Sequence, residues 1–257
     1  MKFQLLPSTF EKDGSASARQ HLSCLIINDR IALDAGSLAM AVSEEQRRSI
    51  RDIVLTHAHL DHIAGLPLFI DDLFADLTGP VRIYAIRAVI EILERDIFNW
   101  SIYPRYSELM NNGSPVVEYR AIEPGSVFTI LDVSFTPIPV DHKVPSTGYL
   151  ISDGSASVAF TGDTASLATL KAVIAEAGDL KAVLVECAFP DEMAELAGIS
   201  HHMTPAILAK ELEGFGPRCP IFVLNIKPSY RDQVVRQLID LSIDGLEPMT
   251  IGRPYFW

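Results

Sequence analysis

Short apolar runs broken by turn residues open the chain. LSCLIIND, Leu22 to Asp29, is apolar and β-branched and ends in a turn pair, so it predicts a strand. RIALDAGS follows at once, and the two together predict a hairpin. LAMAVSEEQRRSI has helical spacing and good helix formers. In DIVLTHAHLDH, a buried strand over Ile53 to Leu55 ends where a group of histidines begins, and IAGLPLFIDDLFADL continues as a helix. VRIYAI reads as a strand and RAVIEILERDIF as a helix. From about residue 99 to 124, Pro, Gly and Asn mix with scattered aromatics, which predicts an excursion over the surface. Strands resume with VFTILDVSFTPIPV and STGYLISDGSASVAFTGD. SLATLKAVIAEAG is then a helix, KAVLVECAF a strand, and TPAILAKELEGFG a helix with Thr204 as N-cap and Pro205 in its first turn. IFVLNI is a strand and YRDQVVRQLIDLSID a helix. Hairpins come first and then strands alternate with helices, in each half. An α/β protein with two β-sheets covered by helices on the outside, a four-layer αββα sandwich, accounts for that order. One domain over 1–257 is expected, with the site along one edge of the two sheets.

Composition narrows the function. With 48% apolar and 21% charged residues, 257 residues can bury a full core. A formal net charge of −12 disfavours non-specific binding to nucleic acid and to anionic membrane surfaces. No apolar run approaches the roughly 18–20 residues that span a bilayer. The N-terminal MKFQLLPSTFEKDG has no long apolar stretch followed by a cleavage site, so a cytoplasmic location is expected. Cys24, Cys187 and Cys219 are odd in number and widely spaced, which reads as free thiols.

The chemistry concentrates in THAHLDH, Thr56 to His62, which holds three of the chain's seven histidines. Imidazole and carboxylate are good ligands for Zn²⁺ and other divalent first-row metals. In extended backbone His57 and His59 point to the same side. As the chain turns into a helix, Asp61 and His62 swing to the other side of the same cavity. Two ligand pairs would then face two neighbouring metal positions, and two cations about 3.5–4 Å apart can clamp a phosphoryl or carbonyl oxygen.

THAHLDH followed by IAGLPLF, with Gly65 at the helix start, resembles the HxHxDH signature of the metallo-β-lactamase superfamily. LDAGS with Asp34 resembles the family's early hairpin, His142 in PVDHKVPSTGYLI its third metal motif, and Asp163 in FTGDT its bridging aspartate. VECAFPDEMAELAGISHHMTP and NIKPSYRDQVVRQL are similar to segments of class II cyclic-nucleotide phosphodiesterases and of Z-type tRNA-processing ribonucleases. The resemblance implies the αββα sandwich of the metallo-β-lactamase type. It implies that His57, His59 and His142 bind one metal, Asp61 and His62 a second, and that Asp163 bridges them. His202 would protonate the leaving oxygen or hold the phosphate, oriented by Glu186. His201, adjacent, must point elsewhere.

The chain departs from the pattern once. Where the family ends a strand with a histidine, this sequence has Asn225, a weaker and harder oxygen ligand. The second metal position is therefore expected to be the weaker of two, with zinc expected and manganese or iron as alternatives. Lys227 can pair with a phosphate or lie solvated. The HMTP and IKP segments favour a metal-dependent phosphodiesterase acting on a small phosphodiester, a 3′,5′-cyclic nucleotide such as cyclic AMP. Two alternatives stand beside it: tRNA 3′-end processing of the ribonuclease Z type, and a degenerate, non-catalytic nucleotide-binding member. Trp100, Tyr103 and Tyr106 are candidates for stacking on a base. Dimers are common among such relatives, so a homodimer is one possible assembly, but the sequence does not fix the oligomeric state.

Overall fold

The computed structural model describes residues 1–175, 177, 179–215 and 219–257. Among them, two sheets of seven strands pack face to face. The first begins with β1 (Lys2–Leu5), β2 (Leu25–Ile27), β3 (Ile31–Leu33), β4 (Asp52–Val54) and β5 (Val81–Ile86). A small hairpin of β6 (Met110–Asn111) and β7 (Ser114–Pro115) stands apart, and β8 (Val117–Ile122) returns to the first sheet beside β5. The second sheet holds β9 (Phe128–Ile130), β10 (Val133–Pro139), β11 (Thr147–Ser152), β12 (Ser157–Phe160), β13 (Leu180–Glu186), β14 (Ile221–Leu224) and β15 (Leu246–Pro248). Last in the chain, β16 (Pro254–Phe256) crosses back to pair with β1. The orders are β16-β1-β2-β3-β4-β5-β8 and β15-β14-β13-β12-β11-β10-β9. In each sheet antiparallel neighbours give way to parallel ones, at β3–β4 and at β12–β13. The expected order of hairpins and then alternating strands and helices is met twice.

Side-chain alternation along the strands builds the layers. In β13, Ala182 and Leu184 join the core between the sheets, while Val183 and Val185 join the core under the outer helices. Phe3, Leu5, Ile27, Phe135, Tyr149 and Phe160 fill the middle layer. Of the helices, α1 (Leu38–Ala41), α2 (Glu44–Ser49), α3 (Leu60–Ile63), α4 (Leu66–Leu73) and α5 (Arg87–Ile92) belong to the first half. The second half has α6 (Ala168–Ala175), α7 (Ala194–Ser200), α8 (Pro205–Leu212) and α9 (Arg231–Asp240). In α4, Leu66, Phe69, Ile70 and Leu73 recur at helical spacing and are buried against the first sheet. In α8 and α9, Leu208, Leu212, Val234 and Leu238 do the same for the second. The result is an αββα sandwich. No described helix is long and apolar enough to cross a membrane.

Some elements differ from expectation for local reasons. LAMAVSEEQRRSI makes two helices, because Val42 is extended and Ser43 caps α2. The Ser43 hydroxyl accepts from the Gln46 amide at 3.2 Å, and the Gln46 side chain accepts from the Ser43 amide at 3.0 Å. RAVIEILERDIF divides into α5 and a π-helical turn over Leu93–Ile97. Glu176 and Gly178, at the end of the helix expected from SLATLKAVIAEAG, and Gly216, at the end of TPAILAKELEGFG, lie outside the described residues. Within the expected excursion, 117–122 form β8 and so belong to the sheet. Tyr106 is a packing residue: it is buried beside Phe98, and its hydroxyl donates to Asp71 at 2.9 Å. Thr204 caps α8 as expected, accepting from the Ile207 amide.

Candidate metal centre

The chemistry-bearing residues lie at strand ends of both sheets. Asp34 follows β3, Thr56 and His57 follow β4, His142 follows β10, and Asp163 follows β12. Glu186 ends β13 and Asn225 follows β14. Rigid strands thus aim loop residues at one place. His59 is the N-cap residue of α3, which carries Asp61 and His62 in its single turn. Two backbone bonds pin that turn to the β2–β3 side: Ser23 donates to the Asp61 carbonyl and Ala35 to the His62 carbonyl, both at 2.7 Å. Gly36 makes the approach feasible, since a Cβ there would lie 2.0 Å from the Asp61 carbonyl oxygen.

Four donors converge. His57 Nε2 is 3.1 Å from His59 Nδ1, which is 3.2 Å from His142 Nε2; Asp163 Oδ2 lies 3.7 Å from His57 Nε2. His57, His59, His142 and Asp163 form a group able to hold a metal ion. Nitrogen ligands about 2.0–2.1 Å from a tetrahedral Zn²⁺ stand about 3.3 Å apart, which matches. The other ring nitrogens fix the tautomers: His57 Nδ1 meets the Thr56 hydroxyl at 2.9 Å, and His142 Nδ1 donates to the His201 carbonyl at 3.1 Å. Each Nε2 is left with its lone pair toward the cluster. Burial, reinforced by His62, pushes His57 well below its ordinary pKa. Burial lowers His59 against the pull of Asp61, and takes His142 to about 4. All three rings are therefore neutral near pH 7, the form that binds metal.

His62 and Asp163 supply the strongest sign that a cation belongs here. His62 Nδ1 is tied to Asp34 Oδ2 at 2.7 Å, and Asp34 Oδ1 accepts from the Thr56 amide at 2.8 Å and hydroxyl at 2.9 Å. His62 Nε2 and Asp163 Oδ2 face each other at 3.4 Å, buried and without a hydrogen-bond partner. Two polar atoms held together in the interior by charge alone, without a hydrogen bond, leave room for a ligand that joins them. Burial would lower the His62 pKa, but the Asp163 and Asp34 carboxylates hold it well above its ordinary value. A cation could take the place of that positive charge. The donor set fits a divalent metal.

Asp61 and Asn225 behave differently. Asp61 Oδ2 is 4.0 Å from His62 Nε2 and accepts from Lys227 Nζ at 2.9 Å. Lys227, expected at a phosphate or in solvent, is thus paired with a carboxylate. Asn225 donates through Nδ2 to Asp163 Oδ1 at 2.6 Å, and its backbone amide donates to Gln20. In this arrangement it is a hydrogen-bond donor to the central carboxylate.

His202 and Glu186 form the second group around Asp163. His202 Nδ1 is 2.7 Å from Glu186 Oε1 and 4.0 Å from Asp163 Oδ2. Glu186 is fully buried and accepts from the backbone amides of Thr164, Ala188 and Met203. Burial raises the Glu186 pKa, opposed by His202; burial lowers that of His202, but Glu186 raises it overall. His201, at positive φ after α7, turns away and pairs with Asp141 at 2.9 Å.

Sequence reasoning missed the supports: Thr56, the Asp34 bond to His62, the His201 carbonyl, and Gln20. The only trace of Asp34 was its place in LDAG at a strand end, where the backbone takes φ +59°.

A family model described as beta-lactamase superfamily domain matches residues 30–223. The chain is 30% identical to a probable 3′,5′-cyclic-nucleotide phosphodiesterase of Yersinia pestis, over 88% of this chain and 80% of that protein. A ribonuclease Z of Mycobacterium sp. (strain KMS) is 29% identical over 62% of this chain and 58% of its own length. Among solved structures, unliganded yeast PDE1 matches with a TM-score of 0.77 at 17% identity, covering 100% of this chain and 99% of that one. At that identity the likeness is one of fold.

Proposed function

The chain belongs to the beta-lactamase superfamily, and on that footing we propose that it is a metal-dependent phosphodiesterase whose substrate is a 3′,5′-cyclic nucleotide such as cyclic AMP. The observation that carries the reading is the convergence of His57, His59, His142 and Asp163, with bare lone pairs turned inward. The Yersinia relative, described as a phosphodiesterase and matching most of the chain, supports the substrate class. The ribonuclease Z relatives support the second reading, tRNA processing, but over a shorter stretch, and a net charge of −12 is poorly suited to tRNA.

His57, His59 and His142 would hold one cation and Asp61 and His62 another, with Asp163 between them. The nitrogen-rich donors favour zinc, with manganese or iron as alternatives. Divalent cations at these positions supply Lewis acidity toward a phosphoryl oxygen and make water a stronger acid. The protein's own part centres on His202. Glu186 accepts from its Nδ1 and stabilises the imidazolium, whose second proton, on Nε2, can pass to the departing ribose oxygen. Its raised pKa keeps that proton available near neutrality. The buried thiols Cys24 and Cys187 are free, in keeping with a cytoplasmic home.

Metal-loaded protein assayed on cyclic AMP, cyclic GMP, an aryl phosphodiester and precursor tRNA tests the reading. Hydrolysis of a cyclic nucleotide that His59→Ala abolishes is expected. Turnover of precursor tRNA alone would replace the first reading with the second. No turnover of any substrate, with metal bound, would point to the non-catalytic member.

A further inference from the structure

The group at His57, His59, His142 and Asp163 is complete without Asp61. Asp61 has instead an ammonium for a neighbour. Lys227 Nζ donates to Asp61 Oδ2 at 2.9 Å, and both side chains are 27% exposed. That oxygen is also the one that faces His62 Nε2, at 4.0 Å. We propose that Lys227 is a built-in competitor for the second metal position: its ammonium holds Asp61 until a second cation displaces it. The inference rests on the metal-dependent reading of the site, and is independent of which phosphodiester is cleaved.

The geometry leaves the second position short of protein ligands. Asp163 Oδ1 is engaged by the Asn225 amide at 2.6 Å, so Asp163 has one oxygen, Oδ2, to share. Asn225 meets that carboxylate as a donor. What remains for a second cation is His62 Nε2, the shared Asp163 Oδ2, and an Asp61 oxygen that Lys227 already occupies. An ammonium and a divalent cation cannot both sit against one half-buried carboxylate without strong repulsion. Lys227 is also held in place along its backbone, since its amide donates to the Ala188 carbonyl at 3.1 Å. It can therefore return whenever the cation leaves. The consequence is a marked asymmetry: one ion bound tightly, the second bound weakly and at the expense of the Lys227–Asp61 pair.

Titration of metal-free full-length protein with Zn²⁺, followed by calorimetry and by metal content after dialysis, reads this directly. Wild-type protein is expected to retain one ion through dialysis and to bind a second more weakly. Lys227→Met keeps most of the stem and removes the charge. It should tighten only the second ion, by about 10- to 100-fold, the usual weight of a group that touches a metal ligand. Lys227→Arg should leave the second ion weak. If Lys227→Met fails to fold, judged by circular dichroism, Lys227→Gln makes the same test. Two ions of equal affinity in the wild type would overturn the proposal, as would a second affinity that neither neutral variant changes. Asymmetric binding without cyclic-nucleotide turnover would defeat the substrate assignment alone. Equal binding with turnover would defeat the lysine proposal alone.

Discussion

Asp34→Asn separates metal binding from folding at a single atom. Asp34 is fully buried and serves two partners with its two oxygens. Oδ1 accepts from Thr56, and Oδ2 accepts from His62 Nδ1 at 2.7 Å. An asparagine can keep its carbonyl on the Thr56 side, and the left-handed backbone at φ +59° suits Asn as well as Asp. Its NH₂ then faces His62 Nδ1, which must accept instead of donate. The proton moves to Nε2, the atom that faces Asp163 Oδ2 at 3.4 Å and would bind the cation.

Two different magnitudes follow. In metal-free protein, a bond to a charged partner, worth about 1.5–3 kcal/mol, becomes a neutral one worth about 1 kcal/mol. The lost difference is partly offset because one fewer charge is buried. Metal-free stability should therefore fall by only about 1 kcal/mol, measured as the urea midpoint. Metal affinity should fall by about 10- to 100-fold, or about 1.4–2.8 kcal/mol, because the tautomer is wrong for coordination. Only the ion that involves His62 should weaken, and the one at His57, His59 and His142 serves as the internal control. Unchanged affinity for the ion that involves His62 would refute the tautomer argument. A loss of several kcal/mol in metal-free protein would show that Asp34 acts chiefly as a structural group.

Three further outcomes are expected. His202→Ala should lower kcat by about 10²–10⁴-fold while leaving metal content unchanged, the weight of a positioned proton donor; equal activity would remove His202 from the chemistry. Gly36→Ala brings a Cβ to 2.0 Å from the Asp61 carbonyl, so it should cost at least about 1–3 kcal/mol in a chemical melt, and a wild-type midpoint would contradict the close approach. His142 has a folded-state pKa of about 4, below its ordinary value, so the unfolded chain takes the proton first. Its contribution is full at neutral pH and is lost as pH falls through the window from about 6.5 to 4. Because the ring is partly solvated, the loss should stay below ~2 kcal/mol, and His142→Gln should flatten the metal-free urea midpoint over that range.

Much of the candidate centre was legible because the residues proposed as its ligands are close in sequence or end regular strands. His57, His59 and His62 fall within six residues, and His142 and Asp163 follow or precede segments with unmistakable strand periodicity. The adjacent pair His201 and His202 could be ranked but not placed. The φ of +55° at His201 sends its ring to Asp141 and leaves His202 to Glu186. Two kinds of information were hidden. Capping chemistry at Ser43 overrode the helical pattern of LAMAVSEEQRRSI, since a local hydrogen-bond pair is invisible to periodicity. Long-range pairs were hidden too: Lys227 with Asp61 is 166 residues apart, and Gln20 with Asn225 is 205.

Those long-range pairs explain why the departure at Asn225 has a different meaning in the folded chain. As a sequence, Asn225 reads as a poorer ligand in a histidine's place. In the structure it donates to Asp163 and is itself held by Gln20, while Lys227 two residues on holds Asp61. The exchange is then more than a weakened ligand: hydrogen-bond donors and an ammonium occupy the side of the site where a second cation would draw its ligands. The buried side-chain atoms without partners among the described residues sit in this same region. They are His62 Nε2 and Asp163 Oδ2 at its centre, with Gln20 Nε2, Ser23 Oγ and Ser37 Oγ on the loops that pin it. Their concentration here fits a region shaped by what it binds.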